Sequence, residues 1–355
     1  MKAPAPRIGY VPYSASLEKP GDKRRFAAYA TARSLKFEIA NPEDRYDVVV
    51  LTEAADITIW SKYAHGKIVY DLIDSYLSIP RSDIKQWLRG TAWYFTRRYR
   101  HLRIDLWEAI RDMCRRADAV ICSTDEQKRD IQPYCANAHV VLDVHDTVAR
   151  TVKESYRRGR PFNLVWEGLP SNIVQLKLIR EVLKELQPHH PLVLNLVTDP
   201  DQPRFLGNFG RIHSMDLAHK IFDSIKFHRW DEATCSSIIR ECDLAVIPID
   251  LSDPFVAGKP ENKLLLLWRM GMPVVTSATP AYERAMHGAR LDKFACQNTN
   301  EWLTALTTMI DDETVRRNAG IRGKQFSDGE YGRDSMLARW DAVFASLGYD
   351  FGVRH

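Results

Sequence analysis

Nothing in these 355 residues approaches the roughly 20-residue apolar run that a membrane-spanning helix needs. The opening MKAPAPRIGY has no signal-peptide core, so a cytoplasmic protein is expected. The six cysteines, Cys114, Cys122, Cys135, Cys235, Cys242 and Cys296, form no CxxC pair and no metal-ligand spacing. Buried, reduced thiols are therefore expected, rather than disulfides or a zinc site. No GxGxxG follows the first apolar run, which removes the dinucleotide fingerprint. No DxD ends an expected strand either: Asp311 and Asp312 fall in a late helical stretch, so the sequence implies no divalent metal. His65, His101, His139 and His145 are lone histidines without ligand spacing. The net charge of +4 is too small to argue for nucleic acid.

What is present is the composition of a soluble globular protein, with 45% hydrophobic and 27% charged residues over a length sufficient for two domains. Short apolar runs alternate with helical stretches. Strands are expected at Arg7–Tyr13, Lys36–Ala40, Asp47–Thr52, Lys67–Ile73, Ala117–Thr124 and Val140–Val144, and this alternation predicts a parallel, doubly wound sheet. Asp71 and Asp74 close one of these strands, where a carboxylate can orient or deprotonate a hydroxyl; capping a helix is the plainer use of Asp74. Residues 81–116 break the alternation with a helical region that mixes Trp87, Trp93, Tyr94, Phe95, Tyr99 and Trp107 with lysine and arginine. Such a surface suits an anionic membrane, or is simply a helix with one packed and one solvated face.

Thr147–Arg160 is charged and has no apolar period, as expected of a linker. Beyond it, Asn163–Trp166 reads as a strand, and Glu167-Gly168-Leu169-Pro170-Ser171-Asn172 as a loop leading into a helix at Ile173–Leu186. A glycine followed by a serine or asparagine cap can hold a phosphate on backbone amides, and is also an ordinary N-cap. Further strands are expected at Leu192–Val197 and Ile225–Phe227. After the second of these, Arg229 can reach a phosphate, and Trp230 can stack on a base or pack on its own domain.

The most informative stretch is Cys242–Met286. The apolar strand Leu244–Ile249 runs into a polar loop and then a helix opened by Pro260 and Glu261, residues that suit a first turn. Lys263 does not suit it, because a helix N-terminus repels a cation. Its presence makes sense if an anion sits there, held by the free amides and the ammonium together. Leu264–Leu267 makes the helix apolar nearly all round, Gly271 stops it, and Pro273–Ser277 begins the next strand.

NKLLLLWRMGMPVVTS, followed by Pro280 and Glu283, resembles the donor segment of GT-B glycosyltransferases of the family 4 type. ADAVICSTDEQKRDI and the closing TVRRNAGIRGKQFSDGEYGRDSMLARW resemble other parts of the same family. The resemblance implies two Rossmann-like α/β domains facing across a cleft. It places an acceptor-side domain at 1–146, a linker at 147–160, a nucleotide-sugar domain at 161–332, and a last helix at 333–355 crossing back to the first domain. It further implies a nucleotide sugar as donor substrate with no separate cofactor, and a glycan or lipid-linked acceptor of cell-surface polysaccharide synthesis. The donor would be held by Gly168, Ser171, Asn172, Arg229, Trp230, Glu261, Asn262, Lys263 and Glu283, with Lys263 and Asp74 in the chemistry. The family's paired glutamates are missing, since Gly258 and Leu266 stand in their places. Glu261 or Asp253 is then the substitute, and two alternatives stay open: a binding-only relative or partner subunit, and an epimerase or base-modifying transferase on the same fold.

Overall fold

The computed structural model describes residues 5–82, 93–96, 98–203 and 210–352, and they form two compact units. One holds the chain up to Val144, Gly258–Pro260 and the residues from Arg333 on. The other holds His145–Ala257 and Glu261–Gly332.

In the first unit six strands form one sheet: β1 (Ile8–Val11), β2 (Glu38–Ile39), β3 (Val48–Thr52), β4 (Lys67–Asp71), β5 (Ala119–Cys122) and β6 (Ala138–Val140). Their order is β2-β1-β3-β4-β5-β6, and every pairing is parallel. β3 is buried at all of its positions, because successive side chains feed opposite faces and both faces are covered. Val49 and Leu51 join Trp60, Ile68 and Tyr70, while Val48 and Val50 join Ile8, Val69 and Ile121. The closing helix Arg333–Ser346 covers the second face. Trp340 and Phe344 stack on Tyr29 of α1 (Phe26–Ala32) with ring centroids 5.5 and 5.4 Å apart. Arg33 and the Tyr29 hydroxyl both bond Asp341, which fixes the register of that contact.

Two sequence expectations change here. Of the helical region expected over 81–116, residues 83–92 and 97 lie outside the described residues. Residues 98–105 are not helical, and the regular helix is α2 (Leu106–Arg116), started by Asp105 accepting from the Glu108 amide. The strand expected at Val140–Val144 ends at Val140. Beyond it the backbone leaves the ladder for α1's approach: the Val141 carbonyl accepts from Arg25, and the Val144 amide donates to Arg24 O.

The second unit carries β7 (Phe162–Glu167), β8 (Leu192–Thr198), the hairpin strands β9 (Asp201–Pro203) and β10 (Arg211–His213), then β11 (Ile225–Arg229), β12 (Leu244–Ile247), β13 (Val274–Ser277) and β14 (Ala295–Cys296). The main sheet runs β11-β8-β7-β12-β13-β14, again all parallel. Counted from β7, this is the 3-2-1-4-5-6 order of a dinucleotide-type sheet, whose ligand crevice opens where the order reverses, at the ends of β7 and β12.

The helix α3 (Asn262–Arg269) buries Leu264 through Trp268. Gly271, at φ +71°, closes it: its amide donates to Trp268 O and the Met272 amide to Leu267 O, the paired bonds of a left-handed C-terminal cap. After α4 (Pro280–Gly288), the long helix α5 (Glu313–Glu330) crosses α3 closely. A methyl group on Gly323 would lie 2.3 Å from the Trp268 indole. Residues 147–160, expected as a linker, contain no helix or strand and are laid along this unit. The buried Lys153 ammonium donates to the carbonyls of Arg240 and Cys242, and Tyr156 donates to Gly271 O. All six cysteines are free and buried.

Candidate functional site

At the switch point of the second unit, β7 ends in Trp166, Glu167 and Gly168. Gly168 is pinned there by its amide on Val197 O and its carbonyl on the Thr198 hydroxyl. Against this end stands the first turn of α3. The Lys263 ammonium lies 5.0 Å from the centre of the Trp166 ring. A methyl group added to Gly168 would sit 2.7 Å from Lys263 Nζ and 3.1 Å from the Trp166 ring. Glycine at 168 is what lets the lysine lie along the backbone. A ring face next to an ammonium holds it without discharging it, and the α3 amides on the same side add positive potential.

Around this pair the unit gathers carboxylates and a phenol. Glu261 is buried immediately before α3 and accepts from the Tyr331 hydroxyl at 3.4 Å. Tyr282 on α4 is buried, and its hydroxyl is pushed well above the ordinary tyrosine range by burial first, then by Glu261 and Glu167. Tyr282, Glu261 and Glu167 are thus electrostatic neighbours. The loop after β12 is tied to the 170–179 segment by the Asp250 amide donating to Gln175 Oε1 at 2.8 Å.

Of the sequence-expected donor residues, Gly168, Lys263, Glu261 and Asn262 come together at this end of β7 and α3. Ser171 and Asn172 belong to a different structure from the expected one. Pro170–Ile179 forms a run of 3-10 turns, and the α-helix is confined to Arg180–Leu186. Pro170, Ile173, Leu176 and Ile179 are all buried, and a spacing of three keeps them on one face only at three residues per turn. The Asn172 amide is consumed by Leu169 O, and Ser171 is exposed. Arg229 is exposed and Trp230 half-buried at the end of the edge strand β11, two strand positions from β7. Glu283 is not brought into the group. It lies on the exposed side of α4 and accepts from Gln297 beyond β14 at 3.2 Å, while its neighbour Tyr282 turns inward.

The first unit has its own switch point, between β1 and β3. Asp71, at the end of β4, is wholly occupied: Arg25 grips it through Nε and a terminal nitrogen at 2.7 and 2.6 Å, and also bonds Asp143 at 2.9 Å. Arg25 and Asp71 are each 1% exposed. Asp71 is therefore part of the unit's internal scaffold. Asp74 is half-buried three residues on, and its amide donates to Glu53 Oε1, from the residue following β3. Burial, reinforced by the charge of Asp74, pushes the Glu53 carboxyl up to about 8. The Tyr13 hydroxyl, just past β1, is buried without a hydrogen-bond partner among the described residues. Burial, then Asp71 and Glu53, holds it well above the ordinary range. Sequence reasoning missed Glu53, Tyr13, Arg25 and Tyr282. The rule that singled out Asp74, a carboxylate just past an apolar strand, applies equally to Glu53 after VVVLT.

No protein-family model matches the sequence, and no curated protein matches it. Solved structures do match in fold. The crystal structure of TarM aligns with a TM-score of 0.57 at 10% identity, over 84% of this chain and 54% of TarM. A mutant of TarM from S. aureus in complex with fondaparinux, alpha-GlcNAc-glycerol and UDP gives 0.56 at 8% identity, covering 84% of this chain and 55% of that one. Sucrose-phosphate synthase from Thermosynechococcus elongatus gives 0.58 at 11% identity, covering 96% of this chain and 80% of that one. The chain thus spans about half the length of TarM. The two parallel α/β sheets are those of the GT-B fold.

Proposed function

We propose that this chain is a glycosyltransferase that moves a sugar from a nucleotide-sugar donor to a glycan or lipid-linked acceptor, in the synthesis of a cell-surface polysaccharide. The observation that carries the proposal is the placement of Lys263 Nζ against the backbone of Gly168, where a methyl group would leave it 2.7 Å away, at the switch point of the second sheet. Breaking the bond between the anomeric carbon and a diphosphate leaves extra negative charge on the leaving phosphates. A lysine backed by α3 amides answers that charge without a metal. In this reading Arg229 and Trp230, at the end of β11 two strand positions from β7, take the nucleoside end of the donor. Asp74 in the first unit orients the acceptor hydroxyl. The UDP in the TarM mutant complex makes UDP the first nucleotide to test.

A second observation extends the reading to the membrane. Tyr94, Phe95, Leu102 and Ile104 are exposed at 39, 76, 48 and 55%, in a stretch that also carries Arg98, Arg100 and Arg103. Among the described residues no helix is long and apolar enough to cross a membrane. Exposed apolar groups among cations suit peripheral contact with anionic lipid, where a lipid-linked acceptor would be found. The rival reading, a binding-only relative, draws on Gly258 and on Leu266, buried at 4% where the family has a carboxylate.

The test is thermal stability against nucleoside diphosphates and their sugars, where a ligand at 100 times its Kd adds about 2.7 kcal/mol, followed by release of nucleoside diphosphate with acceptor extract. A shift lost in Lys263→Ala, with turnover down about 100-fold or more, supports the proposal. Binding with no turnover under any acceptor favours the rival, and wild-type turnover in Lys263→Ala removes the donor-site assignment.

A further inference from the structure

The first unit's sheet reverses its order between β1 and β3, and the crevice of such a sheet lies outside the carboxyl ends of those two strands. The residues found there are Tyr13 beyond β1 and Glu53 beyond β3, with Asp74 beyond β4 alongside. We propose that Glu53 takes the proton of the acceptor hydroxyl, with Asp74 and Tyr13 orienting that hydroxyl. This assignment rests on the glycosyl-transfer reading above.

Three features of the geometry support it. Among the described residues the Glu53 carboxylate has one hydrogen bond, Oε1 accepting from the Asp74 amide, while the Arg98 guanidinium bonds the Glu53 backbone carbonyl. Arg25, whose charge acts on the Glu53 carboxyl, is committed to Asp71, Asp143 and Val141 O. The groups facing Glu53 are therefore Asp74 and Asp71 from β4 and its loop, Arg25 from the start of α1, Tyr13 from the β1 loop, the buried Tyr70 and Tyr99, and Arg98 at its backbone carbonyl. None of the tyrosines supplies charge at neutral pH, so Glu53 keeps the character of a base. The Tyr13 hydroxyl, buried and without a partner among the described residues, is a donor left for a substrate oxygen, since a buried hydroxyl is costly to leave unsatisfied.

In the step itself, the acceptor oxygen forms its bond to the anomeric carbon while the bond from that carbon to the diphosphate oxygen breaks. The electron pair leaves with the diphosphate, and the acceptor proton passes to the Glu53 carboxylate rather than to the leaving phosphate. Glu53 returns the proton to water before the next turnover. A base whose carboxyl ionises at about 8 is matched to this work near neutral pH.

The experiment has a substrate-free arm and a turnover arm. Infrared difference spectra between wild type and Glu53→Gln read the protonated carboxyl band, which should be half gone near pH 8; a band lost near pH 4.5 would overturn the assignment. With nucleotide sugar and acceptor extract, wild-type turnover should rise with pH and level off above about 8. Glu53→Gln keeps an oxygen for the Asp74 amide, yet should lose the rise and about 100-fold or more of the rate. Glu53→Asp should regain part of both. Tyr13→Phe should raise KM for acceptor more than it lowers kcat. Wild-type turnover in Glu53→Gln, or a pH profile that this change leaves in place, would overturn the role while leaving glycosyl transfer intact. A wild-type protein that binds nucleoside diphosphates but never releases one from a nucleotide sugar would remove both readings, whatever the infrared band shows.

Discussion

Gly168→Ala is the sharpest perturbation of the donor site, because it removes no charge and adds one methyl group, at a backbone φ of +159° that itself favours glycine. The methyl carbon would lie 2.7 Å from Lys263 Nζ, whereas an ordinary nonbonded contact is about 3.5–4.0 Å. The ammonium has to retreat by roughly 1 Å, which a flexible lysine tip does cheaply. The Trp166 ring, 3.1 Å from the same methyl, has to give by a few tenths of an ångström. A displacement of about 1 Å at a charge-stabilising group costs on the order of 100-fold in rate. Donor affinity should fall by about 10- to 150-fold if the contact with phosphate contributes 1.5–3 kcal/mol. The assay is release of nucleoside diphosphate, with a thermal melt as control; a loss of 1 kcal/mol would lower Tm by about 2–4 °C in a domain of this size. Comparison with Lys263→Ala isolates the cause. If the methyl acts through the lysine, the double variant should be no worse than Lys263→Ala alone, since the second change has nothing left to displace. Additive losses, or unchanged turnover in Gly168→Ala, would refute the reasoning.

Three further outcomes are expected. Arg25→Ala strands Asp71, 1% exposed, and should cost about 3–5 kcal/mol, less at low pH, where Asp71 takes up a proton; chemical denaturation at two pH values checks it. Trp340→Ala removes the ring that packs against both Tyr29 and Phe344, which stack on each other directly, and should cost about 3–5 kcal/mol by the same measurement. Glu53, held at about 8 in the fold against about 4.3 in an unfolded chain, binds more protons folded than unfolded between those values. Its contribution to stability is full below about 4.3 and lost as pH rises through 8, so Glu53→Gln should flatten that decline, and an unchanged slope would contradict the assigned ionisation.

The sheets were legible because parallel strands covered on both faces are written as unbroken apolar runs. DVVVLT, LVLNLV and PVVTS announce themselves in this way: β3 and β13 lie within the first and third, and β8 covers the second and one residue more. The stop at Gly271 was legible for a local reason: only a residue at ease near φ +71° completes the two bonds that end α3. The segment 173–179 reads as α-helix in the sequence because Ile173, Leu176 and Ile179, at a spacing of three, also fit a turn of α-helix over so short a stretch. In the fold Pro170 joins the same buried row, so the spacing of three runs over the whole segment, as it does at three residues per turn.

The site was legible where a residue contradicted its surroundings and obscure where it agreed with them. Lys263 stood out because a cation opposes a helix N-terminus, and the contradiction led to the end of β7, where the structure places its ammonium beside Gly168. Arg25 could not be seen in the same way. In sequence it is one of three consecutive basic residues, Lys23 to Arg25, and only the fold sets it apart, by burying it between Asp71 and Asp143. That burial changes the reading of Asp71 and Asp74, which look equivalent in YDLIDSY. With Arg25 bound to the first, only the second remains at the strand ends beside Glu53, so the choice between two identical side chains three residues apart is made by an arginine 46 positions upstream of Asp71.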